Sequence, residues 1–130
     1  GLCVRDIDSF KAINDRFGHQ GGATVLRDFG KIAHETIRRS DTFGRVGGEE
    51  FMLIMPRTAL SDCAAMAQRI LEKVSTSCPF PGAADFSYSC SAGLTLYTSG
   101  ESRADLYQRV DRALYSAKQK GRARVESVEE

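Results

Sequence analysis

The sequence predicts an α+β fold in which one sheet is covered by helices. Three observations carry this. Three stretches space their apolar residues for amphipathic helices, with long polar faces between. Short β-prone runs lie among them without the strict alternation of a parallel βαβ chain. Two adjacent glycines, Gly47 and Gly48, separate two apolar runs and read as a hairpin turn, because glycine tolerates the positive φ of tight turns.

Taken in order, Leu2 to Ile7 reads as a strand ending in Asp6-Ile7-Asp8. Phe10 to Phe17 reads as a short helix with Ser9 as N-cap and Gly18 as stop. Gly18 to Gly22 holds three glycines and reads as a loop. Val25, Leu26, Phe29, Ile32, Ala33 and Ile37 then share one face of a helix from about Ala23 to Arg39, weakened locally by Gly30. Phe51 to Met55 is apolar at every position, as in a central strand, and Pro56 ends it. Leu60, Cys63, Ala67, Ile70, Leu71 and Val74 mark a second helix. Ser75 to Asp85 is a loop, and Phe86–Ser89 and Ser91–Tyr97 read as strands with an irregularity near Cys90. Ser102 caps a third helix with Asp105 in its first turn, and Gly121 takes the C-terminal glycine position. Arg124 to Val128 is the last strand, and the two terminal glutamates read as frayed.

The 130 residues suit one domain. With 18 basic and 17 acidic residues the chain has no general attraction for nucleic acid or for a membrane surface, so phosphate binding must come from local lysines and arginines. Cys3, Cys63, Cys78 and Cys90 have no metal-ligand spacing and read as reduced thiols. The chain starts at Gly1 directly in a strand-like run, which reads as a piece of a longer protein.

Two acid clusters, Asp6/Asp8 and Glu49/Glu50, fall at predicted strand ends. If the two strands are neighbours, the acids converge on a hard cation or on acid/base work. Spacing alone supports equally a pair of solvated strand ends.

At these residues the chain resembles a known family. Asp6-Ile7-Asp8-Ser9-Phe10-Lys11-Ala12-Ile13-Asn14-Asp15 with Gly18-His19-Gln20-Gly21-Gly22 is similar to the opening block of GGDEF domains, the diguanylate cyclases. Gly47-Gly48-Glu49-Glu50-Phe51 resembles their hairpin in its Glu-Glu form, and Asp111 to Arg122 their closing helix. The three blocks stand in family order across nearly the whole chain. The resemblance implies a single GGDEF domain over residues 1–130, lacking the family's N-terminal helix segment. It implies a palm-like nucleotide-cyclase fold with a mostly antiparallel sheet of about five strands. It also implies that two GTP molecules condense into cyclic di-GMP with release of two pyrophosphates, across a homodimer in which each subunit presents one nucleotide.

Residue roles follow from the resemblance. Asp6, the Ile7 carbonyl, Glu49 and Glu50 would hold Mg²⁺ or Mn²⁺, two ions per site. Glu49 would also accept the hydroxyl proton, with Glu50 supporting the metal or its water. Lys11, Lys118 and Arg122 would neutralise phosphates, and the backbone N–H groups of Asp8, Ser9 and Phe10 would bind them at a helix start. Asn14 would read the guanine edge, and Gly47 and Gly48 would let the backbone approach the nucleotide. His19 reads as a loop-packing residue, and Phe10, Phe17, Phe29 and Phe51 as core.

Arg38-Arg39-Ser40-Asp41 resembles the family's inhibitory RxxD site, where Arg38 and Asp41 would bind the product cyclic di-GMP with help from Arg69. Ala23 is a departure: the family carries a guanine-reading aspartate there, and alanine accepts no hydrogen bond. Three outcomes follow: a cyclic di-GMP synthase with weaker GTP binding, a relaxed cyclase that admits ATP and makes cyclic GMP-AMP, or a non-catalytic module binding cyclic di-GMP or GTP. The family pattern further implies an N-terminal sensory or dimerising domain in the parent and a cytoplasmic location, also for a membrane-bound parent.

Overall fold

The computed structural model describes residues 1–128, so the two terminal glutamates lie outside the described residues. The elements run β1 (Leu2–Ile7), α1 (Phe10–Thr36), β2 (Thr42–Gly47), β3 (Glu50–Ile54), α2 (Leu60–Ser75), β4 (Cys90–Thr95), α3 (Arg103–Gln119) and β5 (Val125–Ser127). The strands form one sheet in the order β2-β3-β1-β4-β5. All neighbours are antiparallel except β4 and β5. This is the expected palm-like α+β architecture, with β1 at its centre.

Strand alternation assigns the two faces. Cys3 and Ile7 of β1, with Phe51, Leu53, Cys90, Ala92 and Leu94 of its neighbours, pack against Val25, Phe29 and Ala33 of α1 and Met66, Ala67, Ile70 and Val74 of α2. Phe29 and Phe51 are buried, and Phe10 and Phe17 pack against this core from its margin. Leu2 and Val4 face the other way, onto Val110 and Leu114 of α3. That helix lies close enough to β4 that a Cβ on Gly93 would collide with the backbone of Val110 and Leu114. Arg5 breaks the apolar pattern. Its side chain is fully buried, donating to the Ala67 carbonyl (2.5 Å) and towards Cys90 Sγ (3.8 Å), while its Nε has no partner among the described residues. Burial pushes the Cys90 thiol up to about 11, against the opposing pull of Arg5.

The structure corrects several local expectations. Residues 10–36 are one helical run with a single break at Gly18 (φ 76°), and there is no loop from Gly18 to Gly22. Gly21 and Gly22 serve close packing instead: a Cβ at either would strike Phe17 or Asn14 in the preceding helical segment. α1 ends at Thr36, short of Arg39, and His19 is an exposed helical residue rather than a loop-packing one. Ser9 stands at the N-cap position, but its φ of 55° is left-handed and its side chain makes no capping bond. Residues 86–89 are not a strand. Phe86 instead packs against Phe17 and Phe80, and Ser89 meets the residue after β1 through its carbonyl, which accepts the Asp8 N–H (2.9 Å), and its Oγ, which donates to Asp8 Oδ2 (2.6 Å).

The caps of α3 match the sequence. Ser102 Oγ accepts from the Asp105 N–H (3.1 Å). At the other end Gly121 donates to Lys118 O and Arg122 to Ala117 O, a Schellman pair that turns the chain sharply after the helix.

Candidate active site

The site forms where the polar ends of β1 and α3 meet. Along one face of β1 stand Leu2, Val4 and Asp6, and Asp8 follows just past its end. Two strand residues advance about 6.6 Å, close to the roughly 6 Å of four helical residues, so β1 and α3 stay in step. Leu2 and Val4 meet Val110 and Leu114, and Asp6 Oδ2 then ion-pairs with Lys118 Nζ. Asp8 Oδ2 next accepts the N–H of Ala123 (3.0 Å), just past the helix end. The apolar contacts give way to polar ones at the point where the cleft opens.

The hairpin delivers the second pair of acids. β2 and β3 pair up to Arg45↔Phe51, a bulge skips Val46, and Gly47 pairs with Glu50. The two turn residues are therefore Gly48 (φ 43°) and Glu49, one position later than the glycine pair alone suggests. Arg45 Nε donates to the Gly48 carbonyl (2.7 Å) and braces the turn. Glu49 sits at the tip, where its carbonyl accepts from the Ile7 N–H (3.3 Å). Glu50 lies on β3, an interior strand, directly opposite Asp6. Burial, with the neighbouring charges of Asp111 and Asp6, pushes the Glu50 carboxyl above the usual carboxylate range.

Asp6, Ile7, Asp8, Ser9, Phe10, Lys11, Glu49, Lys118 and Arg122 line one cleft of about 210 Å³. Three cations, Lys11, Lys118 and Arg122, thus stand with three acids, Asp6, Asp8 and Glu49, around a space suited to a phosphate chain with its counterion. Among the described residues, the N–H groups of Ser9, Phe10 and Lys11 have no hydrogen-bond partner, and they open onto this cleft at the start of α1. The left-handed Ser9 costs conformational energy of order 1 kcal/mol, and such strain collects at functional turns. A larger hollow of about 310 Å³ adjoins the cleft behind Asp8 and Ser9, but its remaining lining is Arg16, serines and apolar groups, with no further acid.

One sequence-predicted role changes. The Asp8 N–H is committed to Ser89 O, so it does not belong to the phosphate-binding amides. The Asp8 carboxylate is also fully engaged, by Ser89 Oγ (2.6 Å), Ser91 Oγ (2.6 Å) and the Ala123 N–H. These partners escaped the sequence reading, although the i, i+2 alternation from Val4 through Asp6 to Asp8 was the available signal. Asn14 and Ala23 do not border the phosphate cleft. Asn14 packs against Gly22, and Ala23 lines a separate hollow of about 270 Å³ with Leu26, Arg27, Arg45 and Phe51. Asp111 is a neighbour of Glu50 that the sequence reading gave no role. Its i, i+7 spacing from Lys118 puts both on one face of α3.

Arg38 and Asp41 form a second polar site. Asp41 is buried and accepts from the Arg38 backbone N–H (2.9 Å), Nε (3.2 Å) and Nη2 (3.0 Å), and Arg38 Nη2 also donates to Thr58 (2.6 Å). Burial pushes the Asp41 carboxyl up, but its bonds to Arg38 outweigh this and leave it below the usual carboxylate range. Arg38 and Arg69 line a hollow of about 230 Å³ with Thr36, Asp62, Ala65 and Met66. Asp41 does not line it and acts on Arg38 instead.

A divalent cation fits the first cleft on one observation. Asp6 Oδ1 is buried without a hydrogen-bond partner among the described residues, while Oδ2 is held by Lys118. An orphaned carboxylate oxygen beside Ile7 and Glu49 is a suitable donor for a hard ion. No group of three or more His, Cys, Asp or Glu side chains gathers as a metal cage among the described residues. Magnesium takes one or two carboxylates and completes its shell with phosphate and water.

Fold and site together define a class: palm-like α+β domains with an acid-and-cation cleft at the end of the central strand. The chain belongs to the GGDEF family, described as "Diguanylate cyclase, GGDEF domain", which matches residues 1–124. It is 39% identical over 126 residues to diguanylate cyclase DgcP of Pseudomonas aeruginosa, covering 96% of this chain and 19% of that protein. The chain therefore spans about a fifth of that relative. Its structure is similar to diguanylate cyclase SiaD of P. aeruginosa, solved with its activator SiaC (TM-score 0.93, 35% identity, 98% of this chain and 49% of that one). It is also similar to the GGDEF domain of DgcB from Caulobacter crescentus in complex with c-di-GMP (TM-score 0.90, 35% identity, 97% and 75%). No helix among the described residues is long and apolar enough to cross a membrane.

Proposed function

We propose that this domain condenses two GTP molecules into cyclic di-GMP. The observation that carries the reading is the single cleft joining Asp6, with its orphaned oxygen, to Glu49, Lys11, Lys118 and Arg122. Lys11, Lys118, Arg122 and the first amides of α1 hold the triphosphate and offset its charge. Asp6, the Ile7 carbonyl, Glu49 and Glu50 would hold Mg²⁺ or Mn²⁺, which supplies Lewis-acid polarisation of phosphoryl oxygens. The 3′-oxygen of one nucleotide bonds to the α-phosphorus of the other. The bond from that phosphorus to the pyrophosphate oxygen breaks, pyrophosphate leaves, and Glu49 takes the hydroxyl proton; the reciprocal attack, by the second nucleotide's 3′-oxygen on the first nucleotide's α-phosphorus, closes the ring and releases the second pyrophosphate. One chain presents one triphosphate cleft, so a second copy brings the other nucleotide. Positioning and charge stabilisation lower the barrier. Incubation with GTP, ATP and Mg²⁺ followed by mass identification of the product tests this. Cyclic di-GMP is the expected product, and a folded, dimerising protein that yields no cyclic dinucleotide from any mixture overturns it.

A specific feature favours a relaxed variant of the reading. The hollow beside Ala23 has no hydrogen-bond acceptor side chain, only Arg27 and Arg45 as polar groups. A site that loses an acceptor loses its penalty against bases that lack the matching donor, so the same incubation reads cyclic GMP-AMP as the second product.

The hollow between Arg38 and Arg69 suits the phosphates or guanine of cyclic di-GMP and would provide product feedback. Calorimetry with cyclic di-GMP should lose at least about tenfold in affinity on Arg38→Ala, the size of one charge-assisted hydrogen bond. Tight product binding without turnover would instead identify a non-catalytic receptor.

A further inference from the structure

Asp8, two residues after Asp6, borders the cleft, but its carboxylate is engaged by the protein itself. Its two oxygens take three donors from two parts of the chain, Ser89 and Ser91 on one side and the Ala123 N–H on the other. Ala123 lies in a tight segment after α3 in which two consecutive non-glycine residues, Arg122 (φ 65°) and Ala123 (φ 48°), are left-handed. Such a pair holds only where surrounding bonds over-determine it. The Schellman bond from the Arg122 N–H to Ala117 O fixes its near side, Asp8 fixes its far side, and Arg122 itself lines the phosphate cleft.

We propose that Asp8 is a positioning residue for Arg122: its carboxylate holds the strained segment after α3 so that the Arg122 guanidinium faces the phosphate chain. The proposal rests on the cleft being a nucleoside-triphosphate site. It also divides the labour of the two acids at the end of β1. Asp6 takes Lys118 through one oxygen and keeps the other for a cation. Asp8 spends both of its oxygens on the frame. Ser91 is fully buried on β4, the strand next to β1, so the clamp ties β1, β4 and the end of α3 into one unit.

Asp8→Asn keeps the shape but exchanges an acceptor for a donor. Calorimetry of a non-hydrolysable GTP analogue with Mg²⁺ should show about tenfold weaker binding in Asp8→Asn and in Arg122→Ala, the size of one charge-assisted hydrogen bond. The double variant should be no worse than Arg122→Ala, because Asp8 acts only through that arginine. Ser91→Ala, which leaves the carboxylate in place, should give a smaller loss that likewise vanishes in the Arg122→Ala background. It serves also if Asp8→Asn does not fold. Losses that multiply in the double variant overturn the proposal, as does full affinity in folded Asp8→Asn. A second readout is independent of nucleotide: amide exchange at Ala123 should accelerate in Asp8→Asn, or in Ser91→Ala if Asp8→Asn is unfolded. Unchanged protection overturns the clamp itself. A wild-type chain that fails to bind the analogue, with Ala123 exchange still responding, instead sinks the nucleotide reading and leaves the clamp standing.

Discussion

The cleft proposed for the phosphates and the hollow proposed for the base are built differently. At the phosphate end, side chains from β1, the hairpin and α3 converge, and most are already held. Lys118 sits on Asp6, Arg122 follows a double cap, and Glu49 is pinned at a two-residue turn. In the hollow proposed for the base, Ala23 stands with Leu26, Phe51 and two exposed arginines, and no acceptor side chain lines it. One end is preorganised for charge, which every nucleoside triphosphate carries. The other holds the groups that would tell one base from another, and it is the poorer in them. On the proposed reading, a domain so divided would keep its chemistry while its selectivity could change.

Substitutions can break that comparison. Glu49→Gln removes the proton acceptor and a metal-site acid, and should lower the rate of cyclic dinucleotide formation by about 10²–10³-fold or more for any base; a normal rate would detach the hairpin from the chemistry. Ala23→Asp restores a charged acceptor. It should raise the preference for GTP over ATP by about ten- to a hundredfold, read as the ratio of kcat/KM values in competition, and an unchanged ratio would mean that the hollow does not house the base. Lys118→Ala should raise KM about tenfold for GTP and ATP alike, since this end reads charge; a base-dependent change would merge the two ends.

The smallest effect lies at the far end of α3. There Arg109 pairs with Glu101 (2.6 Å) and donates to Thr95 (2.8 Å) and to the Leu96 carbonyl (2.7 Å). The Arg109 bonds hold the Glu101 carboxyl at about 2, below its ordinary value of 4.5. A depressed carboxylate contributes stability that is full above its unfolded value and is lost as pH falls through the folded one. Thermal midpoints should therefore drop as pH falls from about 4.5 towards 2. Glu101→Gln should remove that part of the slope and leave the GTP-to-ATP ratio unchanged.

Most of the frame was legible because it depends on periodicity and caps. The apolar run Phe51 to Met55, the helical spacing from Leu60 to Val74, Ser102 and Gly121 all do locally what their residue types favour. The misreadings have tertiary causes. Gly21 and Gly22 look like a loop, yet they are helical because Phe17 and Asn14 need the room. Phe86 and Tyr88 alternate like strand residues, but they spend that alternation on Phe17, Phe80 and Asp28. Within the site, the acids at the ends of β1 and β3 were readable as a converging set. The three donors on Asp8 were not, because two come from the segment around β4 and one from a backbone N–H 115 positions away. Arg5 was equally opaque, since its partners are a helix carbonyl and a thiol that only packing brings near.

The bulge at Val46 carries one more consequence. β2 is an outer strand, and Val46 leaves apolar surface exposed along this margin of the sheet. A flat margin of that kind invites another strand to zip alongside, the first step of irreversible clumping. The skipped residue interrupts the row of backbone donors and acceptors and tightens the local twist just before the turn. The hairpin can therefore stand out in water with its carboxylates forward, open to a small polyanion and poor as a template for a foreign strand. Reach and solubility, usually in conflict at the rim of a sheet, are reconciled here by a single unpaired residue.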